Sequence, residues 1–442
     1  MATPAVGSAV VKINPPLGSS VPGYFEDRKA TGIHDDLQAH ALVIAGEDPL
    51  AILSLDLIAV PHDMVLELRR QAQAELGIPG ERLFVHATHT HTAGPTISAF
   101  LTKRDEDYLR QLVVWCGEAL RQAQARATAT ELAFGSTQVP GLQFVRRYWM
   151  RDGSLRTNPG LGNPDVVRPA GEANSELNVV AFRSVCGPLT LLVNFALHPD
   201  TVGGTELSAD YPYYLRQALQ ETLGADTVVL FLNGAAGDIN HLDVLGSEAP
   251  AEFTHDLFMK VVRDEEFTPR AGRTLAAAVQ ELLPDLQYTA DWTVDEAHET
   301  LLLPRRTPPP EQLARAHALL ETHTPEQLTE AQDLYDYEAL LLAETGETEA
   351  EVEIQALRLG TVALVGIPNE VFTELGQLLQ SQSPFAHTLV VQLTNGAAGY
   401  LPTARAFAEG GYEIMLARSS MLTPEAGDTI VAQAVHVLHS LA

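Results

Sequence analysis

Two apolar runs in this chain lead into the same five residues, and that repetition restricts the fold more than any other feature. Leu230-Phe231-Leu232 runs into Asn233-Gly234-Ala235-Ala236-Gly237, and Leu389-Val390-Val391-Gln392-Leu393 runs through Thr394 into Asn395-Gly396-Ala397-Ala398-Gly399. Identical small-residue loops after similar buried strands point to two equivalent turns at one edge of the fold. Small side chains there let backbones approach each other or a ligand closely. Tight strand-to-helix packing accounts for either loop equally well. A phosphate cradle does not, because neither loop ends in Lys-Ser/Thr.

Around these loops, short aliphatic runs alternate with helical spacing. Ala41–Ala45 and Leu50–Leu57 read as strands about the turn Gly46–Pro49. Val60–Leu76 then reads as a helix stopped by Gly77-Ile78-Pro79-Gly80. Another helix is expected over Glu106–Ala127. Strands follow at Leu177–Arg183 and Leu189–Leu197, joined by Cys186-Gly187-Pro188, then a helix at Pro212–Leu223 and a buried strand at Thr227–Leu232. Val352–Leu357 and Val362–Val365 form a two-strand pattern, Val371–Leu379 a helix, and Pro424–Leu441 a closing helix. Residues 303–350 are acidic and rich in Leu and Ala, with helix starts at Pro310 and Pro325. They read as an inserted helical hairpin, away from any chemistry. The expected architecture is α/β, with mixed sheets flanked by helices in one large domain spanning 1–442.

Hydrophobic content of 45% supplies ample core for 442 residues, while the formal net charge is −29. That field repels phosphate backbones and anionic membrane surfaces, so nucleic acid is not an expected partner and a small molecule is. The N-terminus shows no basic-then-apolar leader, and no apolar run reaches the ~20 residues of a membrane helix. A cytoplasmic protein without a transmembrane segment is expected, and Cys116 and Cys186 are expected to be buried thiols.

The chemistry is concentrated in Val85–Pro95, where His86, His89 and His91 fall within six residues before Gly94-Pro95. If the strand continues, period-two alternation puts His89 and His91 on one face and His86 on the other. Paired imidazoles at a strand end suit a divalent metal, or one ligand beside one proton carrier. His198, in Asn194-Phe195-Ala196-Leu197-His198-Pro199, occupies a similar strand end and makes a third imidazole. Asp56, Asp210, Asp238 and Glu370 are carboxylates near strand ends. Glu370 opens an apparent helix, so answering the helix dipole and binding metal are both open to it. No Gly-x-Ser-x-Gly elbow occurs, which favours an activated water over an acyl-enzyme. His34, Asn233 and Gly234 are candidates for the substrate cleft, Asp35 and Asp36 read as a polar turn, and His317, His323, His436 and His439 read as helix-surface residues.

Thr-His-Thr-His-x-x-Gly-Pro (88–95), Phe-Ala-x-His-Pro (195–199), Ala-Gly-Asp (236–238), Pro-x-Glu (368–370) and Ala-Gly-Tyr (398–400) occur in this order. In this the chain resembles the catalytic region of neutral/alkaline (non-lysosomal) ceramidases. The resemblance implies a zinc hydrolase of N-acyl amides, with His89, His198, Glu370 and Tyr400 as zinc ligands and His91 as general base. It places Tyr412 near the scissile carbonyl and makes one of Arg146 and Arg147 an active-site arginine. On that reading zinc lowers its water's pKa toward ~7 and an imidazole takes the proton. Three departures stand out: Gly234 where the family carries a serine, Asn369 for a glycine, and Asp200 for a threonine. A mechanism needing that serine is excluded, and the zinc-water route survives. The chain ends at Ala442, which leaves no room for the family's C-terminal immunoglobulin-like domain and favours a shorter amide than a membrane sphingolipid. The alternatives are a metal-dependent esterase and a non-catalytic zinc-containing binding protein.

Overall fold

Three stretches of the chain fold into the same βββαβα unit. The computed structural model describes residues 3–184, 187–246 and 266–442. The first unit comprises β1 (Ala5–Lys12), β2 (Gln38–Ala45), β3 (Leu50–Leu55), α1 (His62–Leu76), β4 (Leu83–Ala87) and α2 (Glu106–Ala125). The second comprises β5 (Thr128–Gln138), β6 (Glu176–Ser184), β7 (Thr190–Phe195), α3 (Tyr211–Leu223), β8 (Val228–Asn233) and α4 (Phe267–Leu282). In the third, β9 (Val294–Pro304) is followed by an inserted pair of helices, α5 (Pro310–Leu320) and α6 (Ala331–Glu344). The unit resumes with β10 (Glu349–Leu359), β11 (Val362–Gly366), α7 (Thr373–Gln382), β12 (His387–Val391) and α8 (Ala426–Leu441).

Within each unit the first three strands form an antiparallel meander. The helix then carries the chain over to a fourth strand parallel to the third. A short contact, Ala5–Ala129 and Val6–Thr128, joins the first two sheets into one of eight strands, ordered β8-β7-β6-β5-β1-β2-β3-β4. The third stands as a separate sheet, β9-β10-β11-β12. This is the mixed α/β architecture expected from the sequence.

Alternate residues explain the packing. Leu42, Ile44, Phe84, Leu192, Leu230, Leu364 and Val391 come from the strands of all three units into a shared central cluster. Their neighbours on the opposite faces meet helices: α1 and α2 in the first unit, α3 and α4 in the second, α7 and α8 in the third. Strands buried on both faces read as continuous apolar runs without alternation, as β3, β7 and β8 do. The joining ends are equally local. Asp105 caps α2 by accepting from Asp107 N and Tyr108 N, and Gly77, at φ 69°, ends α1.

The repeated loops follow β8 and β12, so they occupy equivalent places in units two and three. Both press on the segment Pro368–Glu370. A Cβ on Gly237 would lie 2.4 Å from Glu370 O, and one on Gly396 would lie 3.1 Å from Pro368 Cβ. Backbone bonds complete the clamp: Gly237 N donates to Val371 O (2.8 Å), Ala398 N to Pro368 O (2.7 Å) and Glu370 N to Gly399 O (2.9 Å).

Several boundaries differ from expectation. The histidine strand stops at Ala87, and His89 takes a left-handed φ of 77°, so strand alternation does not place its ring. Glu370 opens no helix: Glu370–Val371 pairs in parallel with Tyr400–Leu401, and α7 starts at Thr373. The helix-dipole reading of Glu370 is thereby removed. Pro325 begins only a single 3-10 turn, with α6 starting six residues later. His323 lies in the turn after α5, not on a helix, while His317, His436 and His439 are exposed helix residues as expected. Cys116 is a buried free thiol whose pKa burial pushes up to about 12. Cys186 and its turn lie outside the described residues.

Candidate metal centre

The carboxyl ends of the three parallel strand pairs meet at one cavity of about 1270 Å³. Crevices at such strand ends are where open α/β sheets bind ligands. The first unit contributes His89 and His91 from the segment after β4, and the second contributes His198 from the segment after β7. The third contributes Glu370 after β11 and Tyr400 after β12.

The three imidazoles converge through their Nε2 atoms, which stand 3.1 Å (His89–His198), 3.3 Å (His89–His91) and 3.0 Å (His91–His198) apart. Each ring is held from behind by a backbone carbonyl. His89 Nδ1 donates to Ile58 O (2.7 Å), His91 Nδ1 to Gly23 O (3.0 Å) and His198 Nδ1 to Ala236 O (3.3 Å). With its Nδ1 hydrogen committed to a carbonyl, each ring in its neutral tautomer turns an Nε2 lone pair toward the other two. Burial, reinforced by the neighbouring His89, holds the pKa values of His91 and His198 well below the usual histidine range, so both rings stay neutral.

Lone pairs this close repel unless a metal ion or a proton lies among them. A fourth group has the same need. Glu370 Oε2 is buried without a hydrogen-bond donor and stands 3.3 Å from His89 Nε2. Nitrogen and carboxylate donors with carbonyl support behind the rings form the set that suits a zinc-class ion. The residues present therefore fit a divalent metal. The left-handed His89 backbone, costing about 1–3 kcal/mol for a non-glycine residue, sits where strain serves a site.

Beside Glu370, in register with it, Tyr400 places its hydroxyl 3.1 Å from that of Tyr412. Burial raises both phenols, with Glu370 raising Tyr400 further, so each retains its proton. The structure settles which arginine faces this group. Arg146 lines the cavity, with its guanidinium carbon 4.9 Å from the Tyr412 ring centre and 5.5 Å from that of Tyr400. It is fixed there by Glu413 (3.0 Å) and Gly237 O (2.6 Å). Arg147 turns away to Gly410 O, Glu409 and Glu413.

Not every expected residue reaches the cavity. His34 is partly exposed and paired with Asp35, outside the lining. Asn233 is buried behind the site, donating to Thr88 O (3.2 Å) and accepting from Leu197 N (3.4 Å), so it braces two site-bearing segments. Gly234 packs on Ala196 and faces a separate space of about 20 Å³ with Thr373. Asp35 is no plain surface turn, since it is buried and accepts from Ser208 Oγ (2.6 Å) and Ala209 N (2.8 Å). Of the other carboxylates, Asp56 holds Arg216 bidentately (2.7 and 2.9 Å), Asp210 caps α3, and Asp238 accepts from Thr373 N (2.8 Å).

What the sequence missed is the opposite wall. Phe25, Phe100 and Tyr335 form an edge-on cluster with ring centres 4.6–6.0 Å apart. Together with Leu334, Leu342 and Met421 they line the cavity. Tyr335, Leu334 and Leu342 belong to α6, so the inserted hairpin helps build the site from which it had been set apart.

The molecule is thus a three-unit α/β protein with a histidine-lined cavity where the units meet. Among the solved structures that share this fold are neutral ceramidase from Pseudomonas aeruginosa and a ceramidase complexed with C2. Each has a TM-score of 0.73 at 18% identity, covering 100% of this chain and 75% of the other. At that identity the likeness is one of fold. No family profile matches the chain, and no curated protein matches it in sequence. No helix among the described residues is long and apolar enough to cross a membrane.

Proposed function

We propose that the chain is a zinc-dependent hydrolase that cleaves an N-acyl amide of ceramide-like character. The observation that carries this reading is the meeting of three bare imidazole nitrogens and one unpartnered carboxylate oxygen in a cavity with an apolar far wall. The shared fold of the two ceramidase structures supports it.

His89, His198, Glu370 and Tyr400 are the residues that would hold the ion. Bound there, it supplies Lewis-acid activation of water and of a carbonyl. His91, whose Nδ1 hydrogen is engaged by Gly23 O, keeps Nε2 free to accept a proton from the attacking water and return it to the leaving amine. Tyr412 donates its hydroxyl hydrogen toward the carbonyl oxygen as negative charge develops, and the Arg146 guanidinium beside it favours that charge. Gly234 offers no hydroxyl and lies outside the cavity lining, which agrees with water as the nucleophile. The Phe25–Phe100–Tyr335 wall, with Leu334 and Leu342, holds an alkyl arm of the substrate away from water.

Turnover of N-acyl amides of graded chain length, with matched esters, tests the reading. Amide cleavage abolished by chelation and restored by zinc is expected. Cleavage of esters alone would make the protein an esterase, and a metal-loaded protein inert on every compound would overturn catalysis.

A further inference from the structure

The segment Pro22–Tyr24 lies across His91, and one buried side chain fastens it. Gly23 O accepts the His91 Nδ1 hydrogen, and the backbone is so close that a Cβ on Gly23 would lie 2.8 Å from that nitrogen. Arg28, 7% exposed, reaches three carbonyls that converge on this point. Its Nη2 donates to Pro22 O (3.1 Å) and to His91 O (2.6 Å), and its Nη1 donates to Gly204 O (2.6 Å). The guanidinium carbon lies over the Tyr24 ring, 3.6 Å from its centre, and the Tyr24 hydroxyl donates to Asp200 Oδ1 (3.0 Å). One planar cation therefore ties the strap, the main chain of His91 and the loop after His198 into a single rigid piece. A fork of donors in a fixed plane does this where an ammonium cannot.

We propose that Arg28 is a positioning residue: it pins the Pro22–Tyr24 strap against His91 and so fixes the direction in which that imidazole presents Nε2. Neither His89 nor His198 has such a strap, since each is held by one carbonyl of its own neighbourhood, Ile58 O or Ala236 O. The role in turnover rests on the function proposed above. The geometric part does not.

The test compares wild type with Arg28→Met, Arg28→Lys and Gly23→Ala. Gly23→Ala disturbs the strap from its other side, because Gly23 has φ 113°, and it carries the test if Arg28→Met fails to fold. The first readout needs neither metal nor substrate: carbethoxylation of each histidine by diethyl pyrocarbonate in metal-free protein, followed by peptide mass spectrometry. Freeing the strap should raise the His91 rate about tenfold or more, with exposed His317 unchanged and His198 changed less than about twofold. The second readout is kinetic. Arg28→Met should lose about 10- to 100-fold in kcat with KM within about twofold, as losses in support behind a site typically do, and Arg28→Lys should recover part of it. Unchanged His91 labelling in folded Arg28→Met and Gly23→Ala would overturn the proposal. Faster labelling in a protein that cleaves no amide would leave the strap standing and sink the hydrolase reading alone.

Discussion

The two walls of the cavity are built in opposite ways. The histidine wall comes from strand ends of all three units, and each of its rings is braced by a backbone carbonyl. The apolar wall is assembled from loops and an inserted helix, where Phe25, Phe100 and Tyr335 meet edge to face. Directional bonds fix the first to fractions of an ångström, as chemistry requires. Dispersion and burial hold the second, which tolerates repacking as long as volume is kept. Rate should therefore be governed at one wall and choice of substrate at the other.

Substitutions that break this division are ranked by expected size. His198→Ala and His89→Ala should each abolish bound metal and turnover together, read by elemental analysis and steady-state assay. A variant keeping both would remove that histidine from the metal site and erase the contrast. Tyr412→Phe should lower kcat about 100-fold with little change in KM, the loss typical of one donor to a developing oxyanion. Tyr335→Ala on the other side should raise KM about tenfold for long-chain substrates while sparing short ones, since apolar contacts discriminate by only ~1–3 kcal/mol. A kcat effect at Tyr335 matching that at Tyr412 would contradict the contrast.

Acid should act on the support behind the histidine wall, where His86 is buried. Burial lowers the His86 pKa to about 3, and the ring accepts from Asn233 N (3.0 Å) while donating to Gln392 O (2.8 Å). A histidine depressed in the fold takes up its proton more readily when unfolded, so its contribution is complete above pH ~6.5 and is lost as pH falls toward 3. Between pH 7 and pH 5 that loss is ~2 kcal/mol, since one pKa unit is worth about 1.4 kcal/mol. Urea unfolding at the two values should show a smaller drop for His86→Gln than for wild type. Equal drops would place the acid sensitivity elsewhere.

The same division explains what could be read from sequence. Histidines in a short motif, the twin Asn-Gly-Ala-Ala-Gly loops and long apolar runs are local signals, and the sheets followed from them. Glu370 was legible as a strand-end carboxylate, but Tyr400 could be named only through resemblance to a family, because its partnership with Glu370 is a pairing of two short strands across the third unit. The strand–helix pattern of the first third was legible as repeated in the middle third, but its full threefold extent was not, since the first unit's fourth strand ends in Thr88-His89-Thr90-His91 instead of the repeated loop. Asn233 and Gly234 drew attention as a conspicuous loop, yet Asn233 braces the site from behind and Gly234 packs on Ala196 outside the cavity. Phe25, Phe100 and Tyr335 carried no motif at all. They come together only because the Gly23 loop, the segment before α2 and the α6 insertion close over one space.

The central claim is that four distant parts of the chain share one metal ion, and zinc-edge X-ray absorption on the purified protein, read beside stoichiometry, tests it most directly. One zinc per chain is expected, with nitrogen and oxygen neighbours at about 2.0–2.2 Å and an imidazole signature lost in His198→Ala. A protein that purifies and binds zinc substoichiometrically, or whose bound zinc is indifferent to His198, would contradict the account.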